Sequence, residues 1–206
     1  MAQAQVFSLG GIQSAAERVP DVRAHDLVSR ARDGDLRAFE ELVRETQGAI
    51  TSLVARMLDG RDDVDDVVQD VYLQAFQHLK SFRGEARFST WLHRIAVNTC
   101  LKRLKQARRR PTLSLDDPDT GLSERLACDP SLDPRTAVLL NERDDAVRSA
   151  VARLSQRHRV VVVLHYFEDI PCEEIAQIVG CSVGTVWSRL HYACKQLRKA
   201  LGWVVE

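Results

Sequence analysis

The chain has 206 residues, 45% of them hydrophobic and 28% charged, which describes a soluble protein with apolar material for one or two modest cores. Its longest apolar run, Val160 to Leu164, falls far short of the ~20 residues needed to cross a bilayer. The first 20 residues lack the basic region and apolar stretch of a signal peptide, so a cytoplasmic protein without membrane insertion is expected.

The 29 basic and 29 acidic side chains cancel to a formal net charge of zero, but they are unevenly placed. Asp59, Asp62, Asp63, Asp65, Asp66 and Asp70 face only Arg61 in sequence, whereas Lys102, Arg103, Lys105, Arg108, Arg109 and Arg110 have no acid nearby. Separate blocks of opposite sign suggest more than one kind of partner surface.

Residues 1–20 read as a flexible tail. An N-terminal helical domain, about 21–110, follows: Leu36, Phe39, Leu42, Val43, Ile50, Leu53, Val54 and Leu58 recur at three- and four-residue steps. In "DDVDDVVQDVYLQAFQHLK" a helical wheel gathers Val64, Val67, Val68, Val71, Tyr72, Ala75, Phe76 and Leu79 on a core-facing side. The opposite stripe holds Asp66, Gln69, Asp70, Leu73 and Gln77, a surface suited to a basic helix. Asp62, Asp63 and Asp65 sit where carboxylates cap helical amides.

The next helix, from about Ser89 to Arg109, carries Arg94, Asn98, Lys102, Lys105 and Arg109 along one stripe, with Trp91 at its head. Leu92, Ile95, Ala96, Cys100, Leu101 and Leu104 lie elsewhere on the wheel and pack inward. A solvated cationic face accounts for the arginines and lysines but not for an indole beside them. Cations hold phosphates, and an aromatic face stacks a base that has left the duplex. Trp91, after a loop carrying Phe82 and Phe88, is therefore expected to support a boundary between paired and unpaired DNA. Asn98 offers an amide that can read a base edge.

Between residues 111 and 135 four of the six prolines fall beside six acids, which reads as an extended acidic linker. The C-terminal domain, 136–206, opens on helical pattern. Val160 to Val163 are β-branched but sit within a longer periodic stretch, so a buried helix is expected. "IPCEEIAQIVGCSVGTVWSRLHYACKQLRKAL" has the spacing of a helix-turn-helix, with Ala176 at the crossing, Gly180 at the turn and Ser182 as N-cap. Val186, Leu190, Ala193, Leu197 and Leu201 point inward. Gly184, Thr185, Ser188, His191, Tyr192, Lys195 and Lys199 point outward, and three or four of them can reach base edges in a major groove. Trp187, at the edge of the apolar face, reads as a flank or core contact rather than a base reader.

The five cysteines contain no CxxC and suit reduced thiols in packing sites. A metal set of Cys181, His191 and Cys194 lacks a carboxylate or water-activating partner. No catalytic residues, cofactor or metal are expected, and the chain does not read as an enzyme.

Three motifs in order, "DDVVQDVYLQAF", "SFRGEARFSTWLHRIAVNTCLKRLKQ" and the helix-turn-helix, make residues 24–202 resemble the extracytoplasmic-function (ECF) group of bacterial sigma factors, RNA polymerase subunits that direct promoter recognition. The resemblance implies an all-α fold of two small helical domains, region 2 and region 4. It makes Asp66, Gln69 and Asp70, with Leu73 beside them, the residues that dock on a coiled coil of the core polymerase β′ clamp. It implies −10 capture and melting by Phe82, Phe88, Trp91, Arg94, Asn98, Lys102 and Lys105, with a pocket for a flipped base around 82–88. It implies −35 recognition by Thr185, Ser188, Arg189, His191, Tyr192 and Lys195. Promoter DNA, the polymerase β subunit and an anti-sigma factor are the further partners, and the nucleoid the place of action. Many members carry a basic residue at the Trp187 position and an aromatic or basic pair at His191 and Tyr192. The −35 sequence therefore cannot be borrowed from a relative. The alternative is a stand-alone helix-turn-helix regulator that binds a symmetric operator as a dimer.

Overall fold

The computed structural model describes residues 21–58, 63–84, 86–109 and 134–202. The tail, the linker through residue 133, Asp59, Arg61, Asp62, the side chains of Arg108 to Arg110, and Cys128 lie outside the described residues. Among the described residues the fold is all-α, with eight α-helices in two lobes.

The first lobe contains α1 (Asp21–Arg32), α2 (Leu36–Leu58), α3 (Val64–His78) and α4 (Phe88–Arg109). Gly34, at φ +101°, supplies the left-handed backbone that ends α1. Asp35 then starts α2, its carboxylate accepting from the amides of Arg37 at 3.0 Å and Ala38 at 3.2 Å. Arg30 donates to the same carboxylate at 2.7 Å and is the main reason its pKa lies below the usual range. The α2 stripe of Leu42, Ile50, Leu53, Val54 and Met57 packs on Val67, Val71 and Ala75 of α3 and on Leu92, Ala96 and Cys100 of α4. Two polar ties cross this core. Tyr72 Oη and Thr46 Oγ1 are 2.9 Å apart, and Gln74 donates to Thr99 Oγ1 at 3.1 Å.

The second lobe contains α5 (Pro134–Ala152), α6 (Gln156–Val162) running into a π-turn (Val163–Phe167), α7 (Cys172–Val179) and α8 (Val183–Leu201). Val160 to Leu164 are buried among α2, α5, α7 and α8, which is why that run shows no amphipathic alternation. The helix-turn-helix forms as its spacing predicts. Gly180 takes φ +66° between α7 and α8, and Ser182 Oγ accepts the Thr185 amide at 3.2 Å. Val186, Leu190 and Ala193 are buried beneath α8.

The lobes pack against each other along two seams. In one, Arg159, only 8% exposed, reaches across to donate Nη1 to the Met57 carbonyl at 2.8 Å and Nη2 to the Ala152 carbonyl. Beside it the Arg56 guanidinium lies 4.6 Å over the Phe167 ring, and Ser52 donates to Glu168 at 3.2 Å. In the other seam, Glu174 of α7 meets the head of α4, accepting from Thr90 Oγ1 at 2.9 Å and pairing with Arg87 at 3.7 Å.

Candidate nucleic-acid and partner interfaces

On α3 the burial pattern separates a packed side from an open one. Val67, Val68, Val71 and Ala75 are buried, while Asp66, Gln69, Asp70 and Leu73 are exposed, as the wheel placed them. Phe76 is a correction: expected in the core, it is 45% exposed, at the open side of α3 next to α2. Its ring meets Phe39 of α2 edge-on at 5.1 Å. Phe39, Val43, Tyr72, Leu73 and Phe76 therefore line an apolar groove, with Asp65 and Gln69 on its rim. A single-helix wheel could not show the contribution of α2.

Asp63 is a second correction. It occupies the N-cap position of α3 without capping it, because its carboxylate accepts from Arg103 Nε of α4 at 2.6 Å. Arg103 is thus paired across helices, and the Asp63 bond is the main influence raising its pKa. Arg94, Lys102 and Lys105 are left to the open face.

That face carries Arg94, Asn98, Lys102 and Lys105, all exposed, in one line along the helix. At its head Trp91 is half-buried, with Phe82 at 5.1 Å and Phe88 at 5.7 Å between ring centroids. Phe82 and Phe88 are 9% and 8% exposed, with their rings packed inward. They are buried because both hydrophobic rings close the end of the first lobe's core, and they form the footing that fixes Trp91. His93, one turn on, is held neutral chiefly by burial, so it adds no charge to the stripe at physiological pH.

Of the outward side chains expected on α8, Ser188, His191, Tyr192, Lys195 and Lys199 are exposed, and Thr185 and Arg189 are partly covered. Trp187 is 57% exposed, which excludes the core position entertained for it. One ring edge stays against His165, with centroids 6.4 Å apart. No described helix is long and apolar enough to cross a membrane.

The chain matches the family models for sigma-70 region 2 over residues 42–110 and sigma-70 region 4 over residues 144–197. It is 36% identical over 179 residues to the RNA polymerase sigma-H factor of Pseudomonas aeruginosa, covering 85% of this chain and 92% of that one. To the ECF RNA polymerase sigma-E factor of Escherichia coli it is 38% identical over 171 residues, covering 81% and 88%. The chain belongs to the ECF sigma factors. Its fold is also similar to that of CnrH, solved in complex with the cytosolic domain of CnrY, with a TM-score of 0.63, 28% identity and coverage of 87% and 97%.

As a sigma factor it binds core RNA polymerase and promoter DNA, and the stand-alone operator-binding regulator is set aside. The region 2 match spans the groove lining other than Phe39 together with the α4 stripe, and the region 4 match spans the helix-turn-helix through Leu197 of α8. Sequence reasoning missed Phe39 and Phe76. Phe39 lies near the start of α2 and Phe76 near the end of α3, and only the packing of the two helices brings the rings together.

Proposed function

We propose that the groove between α2 and α3 seats the β′ clamp coiled coil of core polymerase, with Leu73 and Phe76 entering the contact and Asp66, Gln69 and Asp70 pairing with its basic side chains. The first lobe, taken as residues 21–110, then presents the α4 stripe to the −10 element. Arg94, Lys102 and Lys105 hold phosphates there, Asn98 reads a base edge, and Trp91 stacks at the edge of the melted strand. The second lobe, 136–206, sets α8 into the major groove of the −35 element. The linker between them runs along the polymerase, near the β subunit and the RNA path.

The observation that carries this reading is the placement of two unlike faces on one small lobe. An acidic and apolar groove and a cationic stripe headed by an aromatic cluster lie on adjoining helices, joined by the Asp63–Arg103 pair. Opening duplex DNA costs a few kcal/mol per unstacked step. A lobe anchored to polymerase through one face supplies that energy by binding the extruded base and freed strand through the other.

Work in the cytoplasm, at the nucleoid, follows from this role. An anti-sigma factor fits the same picture, since CnrH was solved with a protein partner across a similar fold. In-vitro transcription over a promoter library tests the whole reading: core polymerase with this chain should initiate at a defined promoter set, and no initiation beyond that of core alone sinks it.

A further inference from the structure

The leading end of a recognition helix carries the side chains that enter the major groove first. On α8 most of those side chains are already occupied. Gly184 has none. The Thr185 and Ser182 hydroxyls lie 2.9 Å apart within the cap, and Ser188 Oγ donates to the Thr185 carbonyl at 3.0 Å. Arg189 is partly covered and lies on the side of α8 that faces His158 of α6. Trp187 remains: 57% exposed in the second turn, it is the largest open side chain at that end of the helix.

Its neighbours extend the feature. His165 stands edge-on to the indole at 6.4 Å and edge-on to Tyr166 at 4.8 Å, and Tyr166 is itself 47% exposed. The π-turn at 163–167 sets both rings at the side of α8, where His165 braces one edge of Trp187 and Tyr166 backs His165, its hydroxyl 3.3 Å from Cys194 Sγ of α8. An indole has a single N–H donor, so it cannot form the two parallel hydrogen bonds by which an arginine reads guanine. What it offers is apolar area, and the apolar landmark of the major groove is the thymine 5-methyl group.

We propose that Trp187 is a specificity-determining residue of −35 recognition, reading thymine through its methyl group by apolar contact, with His165 and Tyr166 as positioning residues. This rests on the assignment of α8 to the −35 element above. It makes the preferred −35 sequence of this protein thymine-bearing at one or two positions opposite the second turn of α8, with discrimination that depends on the methyl rather than on hydrogen bonding.

The test uses holoenzyme assembled from core polymerase and the full chain. The preferred −35 sequence is first selected from a randomised library, and its thymines are then replaced singly by deoxyuridine, which removes only the methyl. Wild-type holoenzyme should lose about tenfold in affinity at one or two positions, the scale of a single lost base contact. Trp187→Ala holoenzyme should bind more weakly and be indifferent to the same replacements, while Trp187→Phe should keep part of the methyl dependence. An exposed position leaves folding intact, which thermal melting of each variant checks. Methyl dependence that persists in Trp187→Ala, or its absence from the wild type despite a clear −35 preference, overturns the Trp187 proposal alone. Loss of activity by Trp187→Ala with methyl dependence unchanged assigns the indole to a protein contact and also overturns it. A holoenzyme with no −35 preference at all removes the α8 assignment as well.

Discussion

The Thr90 hydroxyl donates to a Glu174 carboxylate oxygen at 2.9 Å, joining the head of α4 to the first helix of the helix-turn-helix. Thr90 is 5% exposed, so this contact sits under cover, and a hydrogen bond to a charged group there contributes about 1.5–3 kcal/mol. Glu174→Ala should therefore loosen the packing of the lobes while each lobe keeps its own melting behaviour. Small-angle scattering checks this: the radius of gyration should rise in the variant, and an unchanged value removes the contact from the seam.

The other seam is sensitive to pH. Burial pushes the Glu168 carboxyl up to about 7, against the opposing pull of Arg56 at 4.0 Å and the Ser52 hydroxyl, and Arg148 lies close enough to act on Arg56. A folded pKa raised above the ordinary value of 4.5 means the packed state binds its proton more tightly. The stabilisation is fully present below about pH 4.5 and is lost as pH rises through about 7. Packing of the lobes, followed by fluorescence energy transfer between dyes on α2 and α5, should be closer at pH 6 than at pH 8. Glu168→Gln should flatten the profile; a slope that survives in that variant points to another group.

Replacement at Trp91 has two separable effects. Because its ring rests on Phe82 and Phe88, Trp91→Ala should cost stability on the order of 1–3 kcal/mol as well as melting activity. Phe88→Ala, at a buried position, should cost about 3–5 kcal/mol and lower the melting temperature more. Asn98→Ala, fully on the open face, should leave stability within about 0.5 kcal/mol yet weaken −10 binding. Comparing transcription from duplex and pre-melted templates separates these: Trp91→Ala should be impaired more on the duplex.

At the docking groove, Leu73→Glu and Asp70→Arg should each weaken core polymerase binding at least tenfold, because one puts an uncompensated charge into the contact and the other reverses a pair. Leu73 is 53% exposed, so neither change should unfold the lobe. Affinity measured by fluorescence polarisation against core enzyme decides, and wild-type affinity in both variants sinks the docking assignment.

Much of this architecture was legible because α2, α3, α4 and α8 each bury one stripe, and a 3.6-residue period records that stripe in the order of residues. Ser182 and Gly180 were legible for a local reason too, since an N-cap and a left-handed turn each demand particular side chains. What stayed hidden depended on a second helix. Phe76 follows the apolar period of α3 yet stays 45% exposed, with Phe39 of α2 meeting only one side of its ring. Asp63 looks like a cap until Arg103, 40 residues on, takes its carboxylate. Arg159, Glu168 and Glu174 look like ordinary surface charges, and only the packing of the lobes buries or engages them. For Trp187 the period alone left flank and core open, and its 57% exposure beside His165 of the π-turn leaves only the flank.

The clasp between the lobes has a mechanical consequence. The two promoter elements are separated by about 25 base pairs, or about 85 Å at 3.4 Å per pair. A compact chain of 206 residues has a radius of gyration of only about 17 Å. The closed molecule is too short a caliper for that span. For one molecule to engage both elements at once, Arg159 would have to leave the Met57 carbonyl and Glu174 would have to leave Thr90, so that the jaws swing apart.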